Sequence, residues 1–134
     1  MLLVKTKVLQ SKIHGLGLFA DEFIPKGTIT WRFDPQIDLY FEPEEVAKMT
    51  ELKRSLIEHF AYLSQQTGKY VYSVDNTRFT NHSAHPNINN TKVLEGDREV
   101  CGEAKRDIAV GEELTIDYRL VDANDEKSKE AYLN

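Results

Sequence analysis

The apolar residues of this chain change period twice, which limits it to a β body interrupted by helix. Val4, Thr6 and Val8 alternate with Lys5 and Lys7, the two-residue period of a half-buried strand. Thr28–Ile29–Thr30–Trp31 is rich in β-branched and aromatic residues and predicts a second strand. Between them lie the turn formers His14–Gly15–Leu16–Gly17 and Pro25–Lys26–Gly27. From Thr50 to Gln66 the period becomes helical. Leu52, Leu56, Phe60 and Leu63 recur at intervals of four, four and three, predicting a helix whose stripe enters the core, capped by Thr50 and stopped by Gly68. Glu42–Pro43–Glu44–Glu45 suits an earlier helix start. After Tyr70 the strand signal returns in Tyr70–Val74. Thr91–Val93 and Glu99–Ile108 predict a hairpin around Gly96–Asp97.

Size and charge narrow the function. A chain of 134 residues suits one domain. No apolar run approaches the ~18 residues of a spanning helix, so no membrane partner is expected. The lone Cys101 cannot form an internal disulfide or supply several thiolates to zinc. An intracellular location follows, cytoplasmic or, in a eukaryote, nuclear, and no metal site is expected. A formal net charge of −5 disfavours direct nucleic-acid binding and suits a basic protein or peptide partner.

Three segments carry groups able to do chemistry. The pair Gly15 and Gly17 reads either as a tight turn or as a place where backbone closely approaches a cofactor. It is no dinucleotide fingerprint, since the third glycine and the following helix are missing. Arg78–Phe79–Thr80–Asn81–His82–Ser83–Ala84–His85–Pro86–Asn87 is dense in directional polar groups. It reads as an internally bonded loop or as a binding segment. In Glu113–Leu114–Thr115–Ile116–Asp117–Tyr118, alternation puts Leu114, Ile116 and Tyr118 on one face. Tyr118 is then a core residue with its hydroxyl at the rim, or a group that orients a reactant in a narrow pocket.

Taken together, Gly15–Leu16–Gly17, Arg78–Phe79–x–Asn81–His82–Ser83–x–x–Pro86–Asn87 and Gly111–Glu112–Glu113–Leu114–Thr115–x–Asp117–Tyr118 resemble the SET-domain family of protein-lysine methyltransferases. The resemblance implies a mostly β fold of small curled sheets with a pseudoknot-like crossing and a central helical insertion. Residues 1–134 would form a single SET domain, with 41–68 as the insertion and 122–134 as a C-terminal capping tail. It implies S-adenosylmethionine as cofactor, bound through Lys12, His14, Gly15, Leu16, Gly17, Arg78, Asn81 and His82. Tyr118 would be the catalytic residue beside a channel admitting the lysine of a basic protein, such as a histone or histone-like protein, from the opposite face. His82 would brace the crossing, and Arg78 would pair with Asp75 or Asp117. A non-catalytic peptide-binding module of the same fold is the alternative.

Two departures from the family matter. Many relatives place cysteine where this chain has Ala84 and add three more beyond the final tyrosine to build a zinc cluster, which this chain cannot do. The tail or a homodimer partner would have to close the channel instead. Ile116 replaces an aromatic residue that narrows the channel in several relatives, which leaves room for more than one methyl group.

Overall fold

The computed structural model describes residues 1–125. In chain order the strands are β1 (Thr6–Gln10), β2 (Leu16–Ala20), β3 (Ile29–Trp31), β4 (Asp38–Phe41), β5 (Tyr62–Leu63), β6 (Tyr70–Ser73), β7 (Asn81–His82), β8 (Ile88–Asn89), β9 (Gly102–Ala104) and β10 (Thr115–Ile116). Helices α1 (Pro43–Ala47) and α2 (Glu51–Phe60) lie between β4 and β5. Short 3-10 turns span Asn76–Phe79 and Tyr118–Leu120.

The predicted period-two segment forms β1, paired antiparallel with β2 so that Thr6 faces Ala20 and Gln10 faces Leu16. Leu18 and Ala20 of β2 pack with Ile24, Ile88, Ala104, Ile108 and Leu114 in one core. Strand order β3–β9–β8 builds the sheet that carries part of this core, and β4–β6–β5 builds a second sheet. Against the second sheet α1 and α2 bury Val46, Ile57 and Ala61 with Tyr70 and Tyr72.

The expected mostly β fold of curled sheets is therefore corrected. The molecule is a mixed α/β fold of several small, chiefly antiparallel sheets, none of them closed or strongly curled. Twist accumulates by only about 20–25° per strand pair, and sheets of two or three short strands give it little to act on. Helix also supplies a whole face of the second core, so it is more than decoration on a β body.

The helical stripe is corrected too. Thr50 caps α2 by accepting from Lys53 N–H, but the helix ends at Phe60, because Ala61 turns extended and Tyr62–Leu63 pair with β6. Leu52 is 85% exposed and Leu56 50% exposed. Leu56 precedes the buried Ile57 by one residue and so points about 100° away from it. Gly68 serves the β5–β6 turn and not a helix stop. The predicted hairpin of 91–93 with 99–108 shrinks to one bridge, Val93 with Val100, because β9 pairs with β3 and β8 instead. The expected capping role of 122–134 rests largely on residues 126–134, which lie outside the described residues.

Candidate active site

Two distant chain segments meet at the centre of the molecule. β7 runs parallel to β10, with Asn81 beside Thr115 and His82 beside Ile116. Ser83 N–H continues the pairing by donating to Ile116 O. Asn87 clamps the crossing from one side. Its Nδ2 donates to Glu113 O at 2.8 Å while its Oδ1 accepts from Thr115 N–H at 2.9 Å. The His82 ring, fully buried, accepts from Tyr118 N–H through Nδ1 at 3.1 Å. Asp117 takes both Nε and Nη2 of Arg119, at 2.8 and 2.7 Å, and these bonds hold its carboxyl below the usual aspartate range.

This crossing fixes Tyr118. Its hydroxyl donates to Thr80 O at 2.6 Å, so its lone pairs remain for a ligand that brings an N–H. Burial, reinforced by Asp125, Asp122 and Glu113, pushes the phenol well above its ordinary range. Near neutral pH it keeps its proton. It can orient a reactant, but it is not poised as a base.

On one side of Tyr118 the β1–β2 turn is tied to the crossing. Asn81 Nδ2 lies 3.1 Å from His14 O, 3.1 Å from Leu16 O and 2.9 Å from Glu113 Oε2. Glu113 also accepts from Ser11 Oγ at 2.7 Å. Gly15 has φ +46°, a left-handed value that favours glycine. Gly17 is needed for a different reason, since an added Cβ would fall 2.9 Å from Glu113 Cδ and 3.1 Å from Asn81 Nδ2. A cavity of about 280 Å³ opens here, bordered by His14, Gly15, Leu16, Phe79, Asn81 and Tyr118.

A second cavity of about 130 Å³ lies on the inner side, bordered by Trp31, Tyr62, Val100, Leu114, Ile116 and Tyr118. His59, Phe60, Arg78, Thr80 and Tyr118 border both cavities, so the two spaces adjoin at the tyrosine. Arg78 pairs with neither Asp75 nor Asp117, which corrects the expectation from sequence that one of them would be its partner. Asp75 is taken by Leu2 N–H and Thr77 N–H, and Asp117 by Arg119. The Arg78 guanidinium sits 5.2 Å from the ring centres of Phe60 and of Phe79, and Nη1 donates to Tyr72 at 3.3 Å. Its buried Nε has no hydrogen-bond partner among the described residues.

The structure thus brings together His14, Gly15, Leu16, Arg78, Asn81 and Tyr118 at the cavities. Gly17 and His82 stand behind them, as the seat of Glu113 and the brace of Tyr118. Lys12 is exposed and borders neither cavity. Reading the sequence missed Tyr62, because a strand of two residues carries no periodicity. It also missed the link from Glu113 to Ser11 and Asn81, which spans most of the chain. Among the described residues no group of three or more His, Cys, Asp or Glu is arranged to hold a metal.

Comparison with known proteins agrees with this layout. The family model described as SET domain matches residues 15–119. The chain is 34% identical over 122 residues to a Schizosaccharomyces pombe histone-lysine N-methyltransferase specific for H3 lysine-36, covering 87% of this chain and 15% of that protein. It is 33% identical over 129 residues to a Chaetomium globosum histone-lysine N-methyltransferase specific for H3 lysine-4, covering 85% of this chain and 11% of that protein. A humanized mutant of the Chaetomium thermophilum Polycomb Repressive Complex 2 bound to the inhibitor GSK126 superposes with a TM-score of 0.65 at 25% identity, over 90% of this chain and 16% of that one. The chain therefore spans a small part of the length of these curated relatives.

Proposed function

We propose that this chain, which belongs to the SET-domain family, transfers methyl groups from S-adenosylmethionine to the side-chain amine of lysine in a basic protein. The observation that carries the reading is the pair of cavities adjoining at Tyr118. Methyl transfer needs nucleophile, carbon and leaving group nearly in line, and reactants entering from opposite sides of a fixed hydroxyl satisfy that need at low entropic cost.

The residues fit the cofactor. The Arg78 guanidinium, which borders both cavities, offers a charge-assisted partner for a carboxylate. The turn at His14–Leu16, held by Asn81, presents backbone to the adenosyl group. When bound, S-adenosylmethionine would supply an electrophilic methyl group, its sulfur keeping the electrons of the carbon–sulfur bond. On the inner side Leu114, Ile116 and Val100 line an apolar passage that disfavours an ammonium, so the incoming lysine loses its proton to water more readily than in solution. Tyr118 accepts an N–H of the amine and aims its lone pair; His82 and Thr80 hold that tyrosine in place.

The acidic balance of the chain favours a basic acceptor. The relatives above are named for lysines of histone H3, which supports an acceptor of that chemistry, but two different lysines are named. A cytoplasmic or nuclear setting, without direct nucleic-acid contact, accords with such an acceptor. No helix among the described residues is long and apolar enough to cross a membrane.

The test is transfer of labelled methyl to a panel of histones and other basic proteins, with mass spectrometry of the products. Label on a lysine side chain, lost in Tyr118→Phe, is the expected result. Cofactor and acceptor binding without any transfer would overturn the enzyme and favour the peptide-binding module.

A further inference from the structure

Glu113 belongs to a motif that the transfer chemistry above leaves without a role. It is half-buried, and the hydrogen bonds it accepts come from neutral donors. Ser11 Oγ lies 2.7 and 3.0 Å from its two oxygens, and Asn81 Nδ2 lies 2.9 Å from Oε2. The Asn81 amide shares two hydrogens among three oxygens, since His14 O and Leu16 O stand 3.1 Å from the same nitrogen. Among the described residues no Lys, Arg or His forms an ion pair with Glu113, although a carboxylate drawn out of water ordinarily keeps a cation at hand. The preceding Glu112 has one, Arg106, at 2.8 Å.

This charge stands directly behind the outer cavity. Gly17 leaves room for it, and Asn81, to which it is bonded, borders the cavity. No carboxylate of the described residues borders the outer cavity itself, and Asp122 borders the inner one. Arg78 brings a positive charge to the outer wall, which suits the carboxylate of S-adenosylmethionine but opposes its sulfonium. Glu113 has the sign that offsets this. Its field reaches the reacting centre: after burial, Asp125 and Asp122, it is the group that opposes ionisation of the Tyr118 hydroxyl. The methyl donor has a sulfonium, whereas the S-adenosylhomocysteine left after transfer has a neutral sulfur and the same adenosyl, amino and carboxylate groups. A negative charge near that sulfur stabilises the donor and not the product.

We propose that Glu113 is a specificity-determining residue for the charge of the cofactor: from behind Asn81, its carboxylate favours the sulfonium of the donor over the neutral sulfur of the product, and so promotes their exchange after each transfer. The inference rests on the transferase reading and deepens it. The countercharge that Glu113 lacks within the described protein is then brought by the ligand.

Titration calorimetry on the full chain gives the dissociation constants of S-adenosylmethionine and S-adenosylhomocysteine, at one pH and one salt concentration. Glu113→Gln keeps the shape of the side chain and removes its charge. It should shift the ratio of the two constants about tenfold in favour of S-adenosylhomocysteine, the order of one charge interaction near a protein surface. Ser11→Lys, which sets an ammonium beside the carboxylate, should shift the ratio the same way. Ser11→Ala removes a hydrogen bond and leaves the charge, so it should keep the wild-type ratio whatever it does to both constants together. Equal weakening of the two ligands in Glu113→Gln would mark a merely structural role and overturn the inference. A shift in Ser11→Ala as large as that in Glu113→Gln would do the same. Should Glu113→Gln fail to fold, Ser11→Lys decides, because an unchanged ratio there is equally fatal. Wild-type binding of both ligands with a ratio that the variants leave fixed sinks only this inference; absence of wild-type binding sinks the cofactor reading with it.

Discussion

The two tyrosines on the inner cavity are held by opposite means. Tyr118 is fixed largely by backbone: a parallel strand pair, a carbonyl at 2.6 Å and its own N–H on a buried imidazole. Tyr62 sits on a two-residue strand, and its hydroxyl reaches only a carboxylate 3.5 Å away, which is shared with three shorter donors. Backbone pairing gives a rigid wall that tolerates little change. A side-chain cluster gives a wall held through several side-chain hydrogen bonds that meet on one residue, Glu99. The first suits a step that every turnover shares.

The largest effect expected of this comparison is at the rigid wall. Tyr118→Phe should lower kcat by about 100-fold or more, as when one preorganised donor or acceptor is removed from a reacting centre. Cofactor binding, followed by calorimetry, should be retained. Equal losses in Tyr62→Phe and Tyr118→Phe on an unmethylated peptide would erase the distinction between the walls.

Support for the Tyr62 side comes through α2, whose Ile57 is 6% exposed. Ile57→Ala should cost about 2–5 kcal/mol in denaturant unfolding. Asn81→Ala removes the amide that ties His14–Leu16 to the crossing. It should weaken S-adenosylmethionine binding by about tenfold or more, given about 1.5–3 kcal/mol for a hydrogen bond to a charged group such as Glu113.

Acid tests the crossing more gently. The Arg119 hydrogen bonds depress the Asp117 carboxyl in the folded state. Its contribution is thus complete above the unfolded value of about 3.9 and is lost as pH falls through the lower folded value. Asp117→Asn should flatten the fall in melting temperature below about pH 4. The smallest effect is at Leu52, which is 85% exposed, where alanine should change stability by no more than about 0.5 kcal/mol. A larger loss would return the residue to the core that periodicity first gave it.

What could be read from sequence follows the same division. The crossing was legible through the family resemblance, whose two short motifs contain its clamps: Asn81, His82 and Asn87 in one, Thr115 and Tyr118 in the other. Gly17 was legible as a required glycine, although its reason, the seat of Glu113, is a tertiary contact. The stripe Leu52–Leu56 misled because periodicity shows that a face is apolar without showing what covers it. Arg78 misled because charge composition suggests an acid partner, whereas Phe60 and Phe79 flank it. Glu99 gave no signal at all. It follows Gly96–Asp97–Arg98, a run that reads as a solvated turn, and its four hydroxyl partners come from residues 40 to 67.

The claim on which the account stands is that donor and acceptor approach Tyr118 from opposite sides. A crystal structure with S-adenosylhomocysteine and a lysine peptide measures this directly. The account predicts the adenosyl group against His14–Leu16 and Asn81, the lysine in the inner cavity beside Tyr62, and the sulfur facing the amine across the Tyr118 hydroxyl. Both ligands on one face, or the lysine remote from Tyr118, would contradict it.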